Sequence, residues 1–246
     1  MLLNKKKLSL IKKKYKEDGF VVIKNIFPKI EILNAGEDLE NFVSKNLPTF
    51  QSRDINKTKN NIINSVHFMN NWSWSKKFIN GKKIKLIVQT LLEDEAKNFG
   101  SELFAKPAKV GLSSPIHQDN FYWCLENANG LTVWIALDKS NSKNGGVYYY
   151  KKTQKLGLLE HKISYAPGSS QTLKYPESMN FFKKITPKIN IGDCIIHHCL
   201  AVHGSNKNIS SKSRRGVTVR YIGKSSKIDN YRKKRYELEL KKNLKK

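Results

Sequence analysis

Residues 130–137, with the sequence GLTVWIAL, form the run that decides the fold class. The run is short and rich in apolar, β-branched and aromatic residues, a pattern that predicts a β-strand. Turn signals such as Asn144-Gly145-Gly146 and Pro167-Gly168 separate it from similar runs. These runs are residues 103–105, 146–150, 161–165, 185–189, 193–203 and 216–222. Many short strands in succession predict a double-sheet jelly roll.

The region before residue 102 has helical spacing instead. Apolar residues recur every three to four positions within residues 8–17, 30–43 and 72–99. Gly19 follows the first of these segments, where a left-handed C-terminal cap is favoured. Residues 20–23, FVVI, predict a short strand, and the polar residues 51–65 predict a mobile loop.

The predicted architecture is α+β and mainly β, in a single domain of 246 residues. Residues 1–101 form a mainly helical part, whose helices pack on one sheet. Residues 102–223 form the core, a double-stranded β-helix of the jelly-roll or cupin-like type. Residues 224–246 form a charged C-terminal tail, in which residues 231–244 are either helical or disordered.

Lysine makes the chain strongly basic. Lys and Arg number 46 against 20 Asp and Glu, which gives a formal net charge of +26. Such a charge is typical of proteins that bind nucleic acids or other anions. The lysines are nevertheless spread over the whole chain and accompany abundant Asn and Ile, as in proteins from AT-rich genomes. We therefore interpret the charge as a solvated surface first and as attraction for an anionic substrate second.

The sequence also bears on the compartment. No run approaches the roughly 18 apolar residues of a transmembrane helix, and the N-terminus, MLLNKKK, lacks the apolar stretch of a secretory signal. Cys124, Cys194 and Cys199 are an odd number of cysteines without the spacing of a zinc site, which predicts reduced thiols in a cytoplasmic protein. The oligomeric state, monomer or homodimer, stays open.

Three side chains predict a metal site. His117 and Asp119 lie two residues apart, and residues i and i+2 of an extended strand point to the same side. Residues 193–205 supply a second imidazole, and strand parity leaves both His197 and His203 open for it. Two histidines and one carboxylate on one face of iron leave three positions open. Non-haem Fe(II) oxygenases use such open positions for a co-substrate and O2.

Arginine is rare in this chain but clusters near residue 214. Arg214, Arg215 and Arg220 are three of its six arginines. When 2-oxoglutarate chelates iron, its C5 carboxylate lies deeper in the site and is best held by a bidentate guanidinium. Arg214 and Arg220 share one strand parity, whereas Arg215 has the opposite parity. Either of the first two can therefore line the pocket.

Together these segments resemble the phytanoyl-CoA dioxygenase family over nearly the whole chain. The matching segments are YKEDGFVVI at 15–23, LFAKP at 103–107, HQDN at 117–120, TVWIAL at 132–137, NGG at 144–146 and HGSN at 203–206, followed by Arg214. The resemblance implies a dioxygenase that depends on Fe(II), 2-oxoglutarate and O2. The residues it implies are the iron ligands His117, Asp119 and His203, the 2-oxoglutarate salt-bridge partner Arg214, and the pocket residues Trp134 and Thr132.

The substrate is less constrained. The family usually has Pro-Gly-Ser-His after the Asn-Gly strand, whereas residues 151–154 here are KKTQ, and this loop borders the mouth of the site. We predict hydroxylation of a small anionic or zwitterionic metabolite, with release of succinate and CO2; desaturation or ring formation stays open. The alternative is a catalytically inactive jelly roll that binds nucleic acid or another polyanion, although a nucleic-acid partner is disfavoured. The predicted substrate contacts are Lys106, Gln118, Asn120, Tyr122 and Arg220.

Overall fold

The computed structural model describes residues 3–51, 54–166 and 169–243. Its α-helices are α1 (Lys5–Asp18), α2 (Lys29–Asn46), α3 (Ser73–Ile79), α4 (Lys82–Leu92), α5 (Asp119–Trp123) and α6 (Asn230–Asn243). Its strands are β1 (Phe20–Ile23), β2 (Ile55–Lys57), β3 (Ile63–Val66), β4 (Ala96–Lys106), β5 (Ser114–His117), β6 (Gly130–Ala136), β7 (Val147–Tyr150), β8 (His161–Ala166), β9 (Ser169–Leu173), β10 (Lys184–Ile185), β11 (Cys194–His198), β12 (His203–Ser205) and β13 (Arg214–Gly223). None of the described helices combines the length and apolar character needed to cross a bilayer.

Two antiparallel sheets face each other. The major sheet has the strand order β1-β11-β6-β13-β4-β3-β2, and the minor sheet has the order β10-β7-β12-β5. Phe20 on the major sheet stacks on Tyr149 of the minor sheet, with ring centroids 4.5 Å apart. Strands β8 and β9 form a separate hairpin. The predicted fold class, a mainly β jelly roll with helices, is thereby confirmed.

The alternation of β6 explains how the layers are built. Leu131, Val133 and Ile135 point to one face and join the large apolar core with residues of α1, α2 and α4. Thr132 and Trp134 point to the other face, into the space between the sheets. The helices therefore pack on the outer face of the major sheet, as predicted, and the inner face is free to carry polar chemistry. Gly19 caps α1 with φ of 83°, and its N–H donates to the Tyr15 carbonyl oxygen, as predicted.

Two predictions for the region before residue 102 were wrong, and so was the strand predicted at residues 185–189, where β10 is only Lys184–Ile185. Apart from residues 52–53, which lie outside the described ranges, residues 51–65 are not simply a loop, because β2 and β3 form a hairpin on the edge of the major sheet. Residues 72–99 are not one helix either. Gly81 separates α3 from α4, and Glu93, with φ of 55°, ends α4 before β4 begins. Pairing with neighbouring strands overrides the local pattern at the β2–β3 hairpin and at residues 96–99, which belong to β4.

Glycine at position 216 makes room for an aromatic ring. A Cβ at Gly216 would overlap the indole of Trp134. We expect Gly216→Ala to lower the free energy of unfolding by roughly 1–3 kcal/mol, the usual effect of overpacking. Gly36→Ala is the control, because a Cβ there meets only the flexible Arg215 guanidinium at 3.8 Å. In helix α2 it should raise the free energy of unfolding by roughly 0.5–1 kcal/mol. Urea unfolding measures both, and effects of equal sign would contradict this packing.

Candidate iron centre

Three strand and helix ends bring the predicted metal ligands together. His117 is the last residue of β5, Asp119 is the first residue of α5, and His203 is the first residue of β12. Strands β5 and β12 pair with His117 opposite His203. The side chains are 14%, 15% and 10% exposed, respectively, so they are shielded but reachable from solvent.

The distances between donor atoms suit one metal ion. Oδ1 of Asp119 lies 3.6 Å from Nε2 of His117 and 3.6 Å from Nε2 of His203. One donor atom from each of the three residues lies within 4.8 Å of the other two. Donors bound to a first-row metal lie about 2 Å from it, so a small adjustment of side chains closes this triangle on an ion. Two imidazoles and one carboxylate are the facial set that Fe(II) oxygenases use.

Backbone carbonyls fix the tautomers of both histidines. Nδ1 of His117 donates to the carbonyl oxygen of Pro115 at 2.7 Å, and Nδ1 of His203 donates to that of Ala201 at 2.9 Å. The proton on Nδ1 leaves the lone pair of Nε2 free to bind a metal. Burial, followed by the nearby histidines, also lowers the pKa of His203 to about 3, which keeps it neutral. The residues present therefore fit an iron ion.

The second carboxylate oxygen of Asp119 is held from behind. The Thr132 hydroxyl donates to Oδ2 at 2.7 Å, and Nε2 of His197 donates to the same oxygen at 3.1 Å. The Tyr149 hydroxyl in turn donates to Nδ1 of His197 at 3.0 Å. Burial opposes ionisation of Asp119, but the hydrogen bond from His197 helps to hold the pKa of this carboxyl well below its usual value. Oδ1 is thereby left as the metal-facing oxygen.

Thr132 thus orients the carboxylate of Asp119, a predicted metal ligand. Thr132→Val keeps the shape of the side chain and removes the hydroxyl that donates to Asp119. Loss of such a supporting hydrogen bond typically weakens metal binding roughly 10- to 100-fold. Competition with a chelator measures the Fe(II) affinity under anaerobic conditions. Thr90→Val is the control, since the Thr90 hydroxyl donates only to Leu86 in helix α4. An unchanged Fe(II) affinity in Thr132→Val would contradict this role.

A buried guanidinium lies at the start of β13. Arg214 is 1% exposed, and its Nη2 donates to the Gly145 carbonyl oxygen at 2.5 Å. Its Nε has no hydrogen-bond partner among the described residues. Burial lowers the pKa of Arg214 to about 10, so it remains a cation at neutral pH. The Trp134 ring lies beside it, 5.4 Å from Cζ. A buried cation with a free donor requires an anion.

Lys106 is the cross-strand neighbour of this guanidinium. Strands β4 and β13 place Lys106 directly opposite Arg214, so both side chains point to the same face. Lys106 is 3% exposed, and its Nζ donates to the carbonyl oxygens of Leu112 and Asn206. Burial first, and Arg214 second, lower the pKa of Lys106 to about 6. The Arg214 guanidinium and this neighbouring amine, which can gain a proton when an anion approaches, form a candidate anion site, here called the Arg214 anchor (Arg214 and Lys106).

The family follows from comparison with known proteins. The model of the phytanoyl-CoA dioxygenase (PhyH) family matches residues 15–216. This chain belongs to the phytanoyl-CoA dioxygenase family. The peroxisomal phytanoyl-CoA dioxygenase of Bos taurus is 22% identical over 232 residues, which cover 87% of this chain and 68% of that protein. A probable phytanoyl-CoA dioxygenase of Caenorhabditis elegans is 21% identical and covers 84% of this chain and 72% of that protein.

Solved structures share the fold. The structure of EctD from S. alaskensis with 2-oxoglutarate and 5-hydroxyectoine superposes with a TM-score of 0.75 at 19% identity, over 92% of this chain and 78% of that one. The non-heme alpha ketoglutarate dependent carbocyclase SnoK from nogalamycin biosynthesis gives a TM-score of 0.75 at 19% identity, over 92% of this chain and 86% of that one. At this identity the likeness shows the cupin-like fold of this phytanoyl-CoA dioxygenase family member and no more.

Three of the residues predicted to contact the substrate form hydrogen bonds within the protein instead. Gln118 is fully buried, and its amide nitrogen donates to the carbonyl oxygens of Gly157 and Leu200. The Asn120 side chain holds Leu125 through two hydrogen bonds, of 3.1 and 3.0 Å. The Tyr122 hydroxyl donates to the Gln171 carbonyl oxygen, while its ring lies edge-on to His117 with centroids 5.7 Å apart. Their roles toward a substrate remain predictions.

Sequence reasoning did not assign two interior residues, Glu102 and Tyr149. Tyr149 is fully buried and belongs to the hydrogen-bond chain behind Asp119. Glu102 lies on the inner face of β4 and contacts His67 and Arg220. The alternation of β4 puts Glu102 and Lys106 on one face. A predicted strand longer than residues 103–105 would have indicated that both residues face the interior.

Proposed function

We propose that this protein is an Fe(II)- and 2-oxoglutarate-dependent oxygenase that hydroxylates a small anionic or zwitterionic molecule and releases succinate and CO2. One observation carries the proposal: a His-Asp-His donor set and a buried arginine with an unpaired Nε both lie on the inner face of β6, where Thr132 donates to Asp119 and Trp134 lies beside Arg214. 2-Oxoglutarate has a chelating end and a carboxylate end, so it matches both features. Membership of the phytanoyl-CoA dioxygenase family supports the same reaction class.

Each residue has a defined part. His117, His203 and Oδ1 of Asp119 would hold iron, which when bound supplies activation of O2 and cleavage of a substrate C–H bond. Thr132 and His197 orient Asp119. The Arg214 anchor binds the C5 carboxylate of 2-oxoglutarate, and the Trp134 ring forms a wall of that pocket. The protein thus positions 2-oxoglutarate between the metal ligands and the Arg214 anchor.

The first experiment compares two dicarboxylates. Under anaerobic conditions we expect 2-oxoglutarate with Fe(II) to stabilise the protein thermally, because ligands that bind only the folded state raise its stability by about 2.7 kcal/mol at 100 times Kd. Glutarate has both carboxylates but no keto oxygen, so it should stabilise much less. Aerobic release of succinate then tests turnover. Equal effects of both acids, with or without metal, would contradict the proposal.

Proton uptake tests the Arg214 anchor separately. In the ligand-free protein the pKa of Lys106 is about 6, so Lys106 is mainly neutral at pH 7.5. A carboxylate placed beside it raises that pKa, so binding of 2-oxoglutarate should take up close to one proton at pH 7.5. By linkage, affinity for 2-oxoglutarate then falls as pH rises above about 6. Calorimetry in buffers of different ionisation enthalpy measures the uptake, and Lys106→Met should abolish it. Wild-type binding without proton uptake would remove Lys106 from the anchor.

The alternative function receives no support. A polyanion-binding jelly roll does not require convergent metal ligands or a buried, partly unpaired arginine. Binding of DNA with a steep salt dependence and no response to Fe(II) and 2-oxoglutarate would favour it instead.

The three cysteines are free and buried, which supports the predicted cytoplasmic location, and that location stays a prediction.

A further inference from the structure

A second charged cluster lies on the inner face of the major sheet. Its members are His67, Glu102 and Arg220, here called the Glu102 cluster. Nδ1 of His67 donates to Oε1 of Glu102 at 2.7 Å, and Asn56 donates to Nε2 of His67 at 3.2 Å. Nη1 of Arg220 lies 3.5 Å from Oε1 of Glu102. Burial opposes protonation of His67, but Glu102 outweighs it and raises the pKa of this imidazole above its ordinary value. Arg220 and Glu102 contribute one cation and one anion to the cluster.

The cluster leaves most of its hydrogen-bonding capacity unused. Oε2 of Glu102 has only a long contact, of 3.5 Å, with the Thr218 hydroxyl. The Arg220 guanidinium makes no hydrogen bond to any described residue, and its Nε is buried without a partner. Its Cζ lies 5.6 Å from the centroid of the Phe99 ring. A buried ion pair with a purely structural role stabilises a protein only when both groups are fully hydrogen-bonded. Arg220 and Glu102 are not fully hydrogen-bonded.

The cluster adjoins the iron centre rather than the Arg214 anchor. Arg220 is directly opposite Thr132, the residue whose hydroxyl holds Asp119. Directly opposite residues have Cβ atoms about 5 Å apart. The Cα atom of Arg214 lies six residues earlier on β13, about 20 Å from the Cα atom of Arg220 along an extended strand. The side chains of His67, Glu102 and Arg220 are 18%, 13% and 16% exposed, respectively, similar to the metal ligands, so solvent reaches both groups.

We propose that the Glu102 cluster binds the head group of the substrate and that this head group is an α-amino acid zwitterion. The substrate carboxylate pairs with Arg220, and its ammonium group donates to Oε2 of Glu102. The Arg220–Glu102 pair offers one cation and one anion, so it accepts a zwitterion without leaving an unpaired charge buried, whereas a simple anion would face Glu102 directly. The inference rests on the proposed function, because it places the remainder of this substrate next to the iron ligands.

Free amino acids and blocked derivatives test the head group. The protein is loaded anaerobically with Fe(II) and 2-oxoglutarate, and the twenty standard amino acids are screened by thermal shift. Each amino acid that stabilises the protein is compared with its N-acetyl derivative, which lacks the ammonium group, and with its methyl ester, which lacks the carboxylate. We expect at least one free amino acid to stabilise the loaded protein and both of its derivatives to lose most of that effect.

Variants then assign the two contacts. Glu102→Gln and Arg220→Lys should each weaken amino acid binding roughly 10- to 100-fold, the usual effect of losing a charge-assisted hydrogen bond. Glu95→Gln is the matched control, because Glu95 pairs with Lys224 on the exposed surface. The proposal is overturned if no free amino acid stabilises the loaded protein, if blocked derivatives bind equally well, or if Glu102→Gln binds like wild type. A protein that does not respond to Fe(II) and 2-oxoglutarate at all would instead refute the proposed function.

Discussion

Replacement of His203 by alanine is expected to reduce Fe(II)-dependent succinate release at least about 10³-fold, whereas His197→Ala should cost only about 10- to 100-fold. Nε2 of His203 lies 3.6 Å from the metal-facing Oδ1 of Asp119. Nε2 of His197 instead donates to the opposite oxygen, Oδ2, at 3.1 Å. The first variant therefore loses a ligand, and the second loses only the orientation of another ligand.

The pair of variants contains its own control. Both replace a buried imidazole by a methyl group, so a general effect of cavity formation appears in both. The metal content after anaerobic loading, the succinate yield and the unfolding midpoint are measured for each. If His203→Ala keeps its full metal content while His197→Ala loses it, then His197 is the ligand and His203 is the supporting residue.

The strand parity of residues 197–203 illustrates where sequence reasoning stops. Strand parity places His197 and His203 on one face only if residues 193–203 form one strand. In the structure β11 ends at His198, and β12 begins at His203. His197 pairs within the major sheet, and His203 pairs within the minor sheet. The parity of a strand has no meaning across the intervening turn, so only the tertiary arrangement separates ligand from supporting residue.

Most of the fold was predictable because its signals are local. The apolar run of β6 and the capped helix α1 can each be recognised from a few consecutive residues. The β2–β3 hairpin does not, since it is a polar edge whose strands pair partly with β4, remote in sequence. Edge strands carry charged and polar residues, and their pattern therefore resembles that of a loop.

The residues of the candidate site also divide into those with a sequence signal and those that only the tertiary structure identifies. The order of His117, Asp119, His203 and Arg214 along the chain indicated a metal centre with an anion anchor. Lys106 had no comparable signal for the anchor, because it is one of many lysines and only its burial distinguishes it. Its nearly complete burial and its lowered pKa follow from β4 and β13 lying side by side in the interior.

Arg214→Met is expected to raise the KM for 2-oxoglutarate by roughly 10²-fold, because two charge-assisted hydrogen bonds to the C5 carboxylate are lost. The KM of Arg214→Lys for 2-oxoglutarate should lie between those of wild type and Arg214→Met, since a lysine keeps the charge but cannot bind in a bidentate manner. The ligand-free Arg214→Met protein should be as stable as wild type or more stable. The wild-type guanidinium is 1% exposed and has an unpaired Nε, so its burial is costly until the anion is bound.

The neighbouring arginine provides the matched control. Arg215 points to the outer face, where its Nε donates to Asp138 at 2.9 Å and its Nη1 pairs with Glu40. Arg215→Met should therefore lower the free energy of unfolding by about 1 kcal/mol and leave the affinity for 2-oxoglutarate unchanged. Titration with 2-oxoglutarate and urea unfolding of both variants separate binding from stability. If Arg214→Met binds 2-oxoglutarate as tightly as Arg215→Met does, the C5 carboxylate has another partner, and Arg220, the other arginine on the inner face of β13, becomes the candidate.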